Sequence, residues 1–129
     1  MNAVSVDVMN LLDADPGLGL TIGTDLFAME WGESANKQIL IIDTGGINSP
    51  LKDLYEQPTF QVLSRGGRKA DMNTAYQQAR AVHEFLITQP TALNLMGFEP
   101  TGGPPELIGR DDNDRAIYSC NYYTFRNPI

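Results

Sequence analysis

The chain has 129 residues, with 16 acidic and 9 basic side chains, a net charge of −7 and one cysteine. Its length suits one domain around one core, and a hydrophobic content of 42% excludes a disordered composition. The acidic balance argues against tight nucleic-acid binding, which relies on Lys and Arg to neutralise phosphates, and the single Cys120 excludes an intrachain disulfide.

Val4, Val8, Leu11 and Leu12 recur at helical spacing and predict a short amphipathic helix over residues 3–13. This start has no basic n-region and contains Asp7, so no secretion signal is expected. Nor does any apolar run approach the ~20 residues of a bilayer span, so no membrane is expected. Asp15-Pro16-Gly17 ends the helix. Residues 18–22 and 26–31 are apolar but punctuated by Gly19, Gly23 and Gly32, and read as short extended segments. Residues 38–43 form the clearest strand, since the unbroken Ile39-Leu40-Ile41-Ile42 run suits a strand covered on both faces. Residues 44–50 read as a loop, entered through a tight structural turn at Asp43, Thr44, Gly45 and Gly46.

Residues 59–65 predict the next strand, with Phe60, Val62 and Ser64 on one face and Gln61, Leu63 and Arg65 on the other. Gly66-Gly67 is expected to break it. Asp71 reads as the N-cap of a long helix over 72–88. Its apolar stripe is Met72, Ala75, Tyr76, Ala79, Val82, His83 and Leu86, with Arg80 and Glu84 paired on the flank. Pro90 stops it. Residues 93–99 predict a strand and 101–105 a break. Two further strands, 106–110 and 116–125, are joined by the turn sequence Asp111-Asp112-Asn113-Asp114. The sum is an α+β domain spanning 1–129. A mixed or antiparallel sheet of about five or more strands is packed by one long helix near 71–88 and a short N-terminal one.

The motifs that carry chemistry are few. An apolar strand ending in Asp43-Thr44-Gly45 is the signature of aspartic proteases, whose paired carboxylates share a proton across a dimer axis. Leu107-Ile108-Gly109-Arg110-Asp111 even resembles the C-terminal motif of retroviral-type members. Against this, Gly46 stands where those enzymes prefer Ala or Ser. A turn follows Asp111 where they open a helix, and the 72–88 helix occupies the place of their flap and core strands. The dimeric protease stays as the alternative reading. His83 lies on the helix stripe and reads as a packed residue, and Cys120 as a small buried one. No Cys/His cluster suggests zinc, and the 111–114 loop lacks the EF-hand spacing. Gly45-Gly46 opens no helix and so is no phosphate loop. Tyr118, Tyr122, Tyr123 and Phe125 lack interleaved basic residues and read as packing groups. No catalytic residue, metal or cofactor is expected. Arg65, Arg68 and Lys69 form the one basic cluster, either a solvated loop or a patch facing an acidic neighbour.

Several blocks recur together in order. They are the N-terminal helix, Ile41-Ile42-Asp43-Thr44-Gly45-Gly46, Tyr55-Glu56-Gln57-Pro58-Thr59-Phe60-Gln61-Val62, Ala75-Tyr76-Gln77-Gln78-Ala79, and Leu107 followed by Ile108-Gly109-Arg110-Asp111-Asp112-Asn113-Asp114-Arg115. In this combination the chain resembles the phage tail terminator, or minor capsid, proteins of long-tailed phages. Asp114 departs from that pattern, standing where such proteins often carry Gly. The resemblance implies a virion structural protein without catalysis. Its subunits form a ring, typically a hexamer, that caps the finished tail tube and receives the head connector on its other face. The implied partners are further copies, the tail-tube protein and the connector. Genome DNA passes through the lumen without specific binding, which an acidic wall suits. The implied place is the head–tail junction of the virion, after assembly in the host cytoplasm. Arg65, Arg68, Lys69, Asp111, Asp112 and Asp114 are the candidates for the assembly interface.

Overall fold

Helix α1 (Val4–Ala14) is amphipathic at a four-residue repeat: Val4, Val8 and Leu12 are all buried. In the computed structural model, which describes residues 2–33, 37–48, 56–68, 72–89 and 95–126, it packs against a six-stranded mixed sheet. The strands are β1 (Leu26–Ala28), β2 (Gln38–Asn48), β3 (Glu56–Arg68), β4 (Leu95–Pro100), β5 (Glu106–Arg110) and β6 (Arg115–Arg126), with α2 (Met72–Ile87) between β3 and β4. The sheet order is β1-β2-β3-β6-β4, and β5 also pairs with β6. Only β1 and β2 run parallel; the other pairs are antiparallel. The α+β expectation therefore holds, with both helices where periodicity put them.

Strand alternation sorts the residues. Ile39 and Ile41 of β2, Phe60 and Val62 of β3, and Cys120 and Tyr122 of β6 join the cluster that includes Val8 and Leu12 of α1 and Val82 and Leu86 of α2. The opposite sheet face is covered in part by residues 27–32. There the Trp31 ring lies 4.5 Å from the Arg65 guanidinium carbon, and Gly32 exchanges hydrogen bonds with the Gln38 side chain. This second cover explains why Leu40 and Leu63 are buried although they point away from the helices.

Four expectations are corrected. Asp43-Thr44-Gly45-Gly46 is not a turn into a loop: β2 runs through it to Asn48. A register shift between Asp43 and Gly45 marks a bulge, and pairing with β3 resumes beyond it. Gly46 has φ 131°, and a Cβ there would lie 2.3 Å from the Gln57 carbonyl oxygen, so the close strand crossing requires glycine. Likewise Gly66-Gly67 does not end its strand, since β3 continues to Arg68 across a second register shift. Residues 18–22 form no strand, apart from the Ile22–Leu26 bridge, and follow a turn over 16–19. On α2 the stripe residues Ala75, Ala79, Val82, His83 and Leu86 are buried, whereas Met72 and Tyr76 are half-buried. The expected N-cap Asp71, the helix stop Pro90 and the start of the 93–99 strand lie outside the described residues.

Candidate functional site

Asp43 is the residue on which the catalytic reading turns. Helix α1 begins after Ala3, which has no side chain to cap the free N–H groups of the first turn. Asp43 supplies the missing cap from β2. Its Oδ1 accepts from the Ser5 backbone N–H at 2.9 Å, and its Oδ2 accepts from the Ser5 hydroxyl at 2.6 Å. A carboxylate at the positive end of a helix is also favoured by the helix dipole. The bulge after Asp43 thus follows a residue whose task is to anchor α1.

The surrounding cleft, about 320 Å³, is lined by Asp43, Gly45, Gly46, Glu56, Pro58 and Arg126 among others. Its cation, Arg126, is already engaged. Arg126 is only 5% exposed, and its Nη2 donates to Glu56 at 2.5 Å. Its Nη1 donates to Asp7 at 3.1 Å and to the Asn2 carbonyl at 2.8 Å. Each Asp43 oxygen accepts from Ser5, which ties the carboxylate to the first turn of α1. Asp43→Asn should therefore act on α1. We expect a loss of about 1 kcal/mol, from the weakened cap and lost charge, read by urea unfolding. A variant as stable as wild type would remove the capping role.

The acidic hairpin and the basic cluster meet inside the chain. Asp111 Oδ1 accepts from the backbone N–H groups of Asn113 and Arg115, and Oδ2 accepts from Arg115 Nε at 2.7 Å. Burial acts to raise the Asp111 pKa, but the bonds from Arg115 and Asn113 outweigh it and hold the carboxyl below its ordinary range. Arg65 lies 4.0 Å from the same oxygen. Burial, and next the charge of Arg115, lower the Arg65 pKa, while Asp111 acts to raise it. Arg65 is 5% exposed, which corrects its placement on a solvated basic loop. Arg68 is in β3 with its side chain outside the described residues, as is all of Lys69. Asp112 and Asp114 are exposed at the hairpin tip. Asp114 has φ 60°, the left-handed conformation that glycine adopts freely, and Asp tolerates it. Its side chain accepts from Arg110 at 3.3 Å.

A Cys–His contact that sequence reading missed sits under α2. Cys120 Sγ is 3.4 Å from His83 Nδ1, and the Tyr122 hydroxyl is 2.7 Å from the same nitrogen. The spacing resembles a nucleophile and base, but all three residues are buried. Burial raises the Cys120 and Tyr122 pKa values, and burial followed by the Arg80 charge lowers that of His83. The groups are thus neutral near pH 7 and closed to substrate, a packed polar cluster and not a dyad. Among the described residues no group of His, Cys, Asp and Glu side chains is placed to hold a metal.

The polar contacts described above all lie within the chain. Residues 17–125 match the family described as bacteriophage tail terminator protein. The chain belongs to that family. It is a structural, non-enzymatic protein of the phage virion. A chain from the virion of a native gene transfer agent particle has a similar fold, with a TM-score of 0.74 at 18% identity, over 96% of this chain and 94% of that one. No curated protein sequence matches. For a terminator, the side chains of interest are those left in water. Leu107 and Ile108 of β5 and Met29 after β1 are exposed apolar residues on the described surface. Local pattern does not mark them, because Leu107 and Ile108 read as ordinary strand residues.

Proposed function

We propose that this terminator closes into a homohexameric ring. The ring caps the tail tube at full length and offers its other face to the head connector, with genome DNA passing through the lumen. The observation that carries this reading is the family match over residues 17–125. The net charge of −7 supports it, since an acidic wall lets DNA slide without adhering. The ring works at the head–tail junction and is assembled in the host cytoplasm. Lys69, Arg68 and the exposed Asp112 and Asp114 are the interface candidates that suit contacts with other proteins. Arg65 and Asp111, which lie within reach of each other in one subunit, suit a structural role instead.

Native mass spectrometry of the purified protein over a range of concentrations is the test. The expected result is a hexamer, or a concentration-dependent route to one. A stable dimer with peptidase activity at acidic pH, abolished by Asp43→Asn, would overturn the terminator role and restore the protease reading.

A further inference from the structure

We propose that β5 of one copy docks along the β1 edge of the next, head to tail, and that this contact closes the ring. The inference rests on the ring reading above. Strands β1 and β5 lie toward opposite sides of one sheet, with β2, β3 and β6 between them. Each side leaves two large apolar side chains in water: Ile22 (39% exposed) and Met29 (53%) flanking β1, Leu107 (42%) and Ile108 (54%) on β5. Ile87, at the end of α2, is the one other exposed large hydrophobic among the described residues. All of β5 is exposed. Among the described residues, β6 is the only strand paired with β5 and β2 the only strand paired with β1. The outer side of β1 is met at Leu26 by Ile22 and Gly23 of its own chain, so the contact on that side is made by the Ile22 and Met29 side chains and not by strand pairing.

Charge order points to a second copy as the occupant. Strand β5 begins at Glu106 and ends at Arg110. The β1 edge begins near Lys37, because the register pairs Leu26 with Ile39, and it leads on toward Glu30. Laid parallel, β5 brings Glu106 to the Lys37 end and Arg110 to the Glu30 end. None of the described ion pairs uses Glu30, Lys37 or Glu106. Such complementarity sets register and partner choice. Two different patches meeting head to tail are also what a closed ring needs, whereas a β5-to-β5 contact would be self-complementary and stop at a dimer.

Ile108→Asp and Met29→Asp test this, both at positions that are more than half exposed, with thermal melting to verify folding. Native mass spectrometry should find each variant monomeric alone. Mixed in equal amounts, they should form a one-to-one dimer and nothing larger, through the single interface that keeps both faces intact. Rings from either variant alone, or assembly lost in Ile108→Asp but kept in Met29→Asp, would overturn the docking scheme and leave the ring reading standing. A wild-type protein that stays monomeric at every concentration would overturn both.

Discussion

Arg126→Ala should remove about 3–5 kcal/mol of unfolding free energy, because it strands a buried carboxylate. Arg126 is 5% exposed and Asp7 is 8% exposed. The guanidinium ties Asp7 and the Asn2 carbonyl, at the start of the chain, to Glu56 at the start of β3. Among the described residues, removing it leaves the Asp7 side chain with only the Asn2 side-chain amide, 3.1 Å away. The cost is that of an uncompensated buried charge and is not the net worth of the pair. Arg126→Met combined with Asp7→Leu should accordingly recover much of the loss, since no charge is then left unpaired. Urea unfolding of the single and double variants measures this. An Arg126→Ala protein within about 1 kcal/mol of wild type would show that water replaces the guanidinium without penalty, against the burial seen here.

Phe60→Ala is the second large effect, again about 3–5 kcal/mol. Phe60 is 0% exposed in the centre of β3. Its ring stacks on Tyr122 at 5.4 Å between centroids and meets Phe98 edge-on at 5.9 Å. Truncation forfeits both ring contacts and opens a cavity bounded by three strands, which cannot collapse without moving the sheet. Tyr76→Ala makes the comparison sharp. Helical spacing alone places Tyr76 in the core stripe. The structure leaves it half-buried, in edge contact with Tyr118 at 5.4 Å. Its loss should be less than half that of Phe60, and a larger loss at Tyr76 than at Phe60 would contradict this packing.

These two cases show why sequence reading succeeded in some places and missed others. Most of the α2 stripe and the placing of Phe60 and Val62 on one face of β3 were legible because burial there follows a local period that one segment carries alone. The Arg126–Asp7–Glu56 cluster was not legible. Its members are far apart in the chain, and nothing local marks Asp7 for burial on an otherwise apolar helix face. The Cys120–His83 contact was missed for the same reason. The burial of Arg65 was missed because Gly66-Gly67 reads as a break that leaves it at a strand end, whereas β3 absorbs both glycines beside a register shift and carries on to Arg68, with Arg65 under Trp31.

The run Ile41-Ile42-Asp43-Thr44-Gly45-Gly46 draws the same line most clearly. Composition, periodicity and the order of motif blocks were enough for an acidic α+β chain, for its two helices and for its likeness to tail terminators, because each depends on local chemistry or on spacing along the chain. The part played by Asp43 was not available from those signals. Asp-Thr-Gly serves equally well in a catalytic loop and in a bulged strand. What separates them is a helix 38 positions away in sequence whose first turn lacks its own cap. Only the packing of α1 on β2 brings Ser5 onto both carboxylate oxygens, and that contact makes Asp43 an anchor and not an acid.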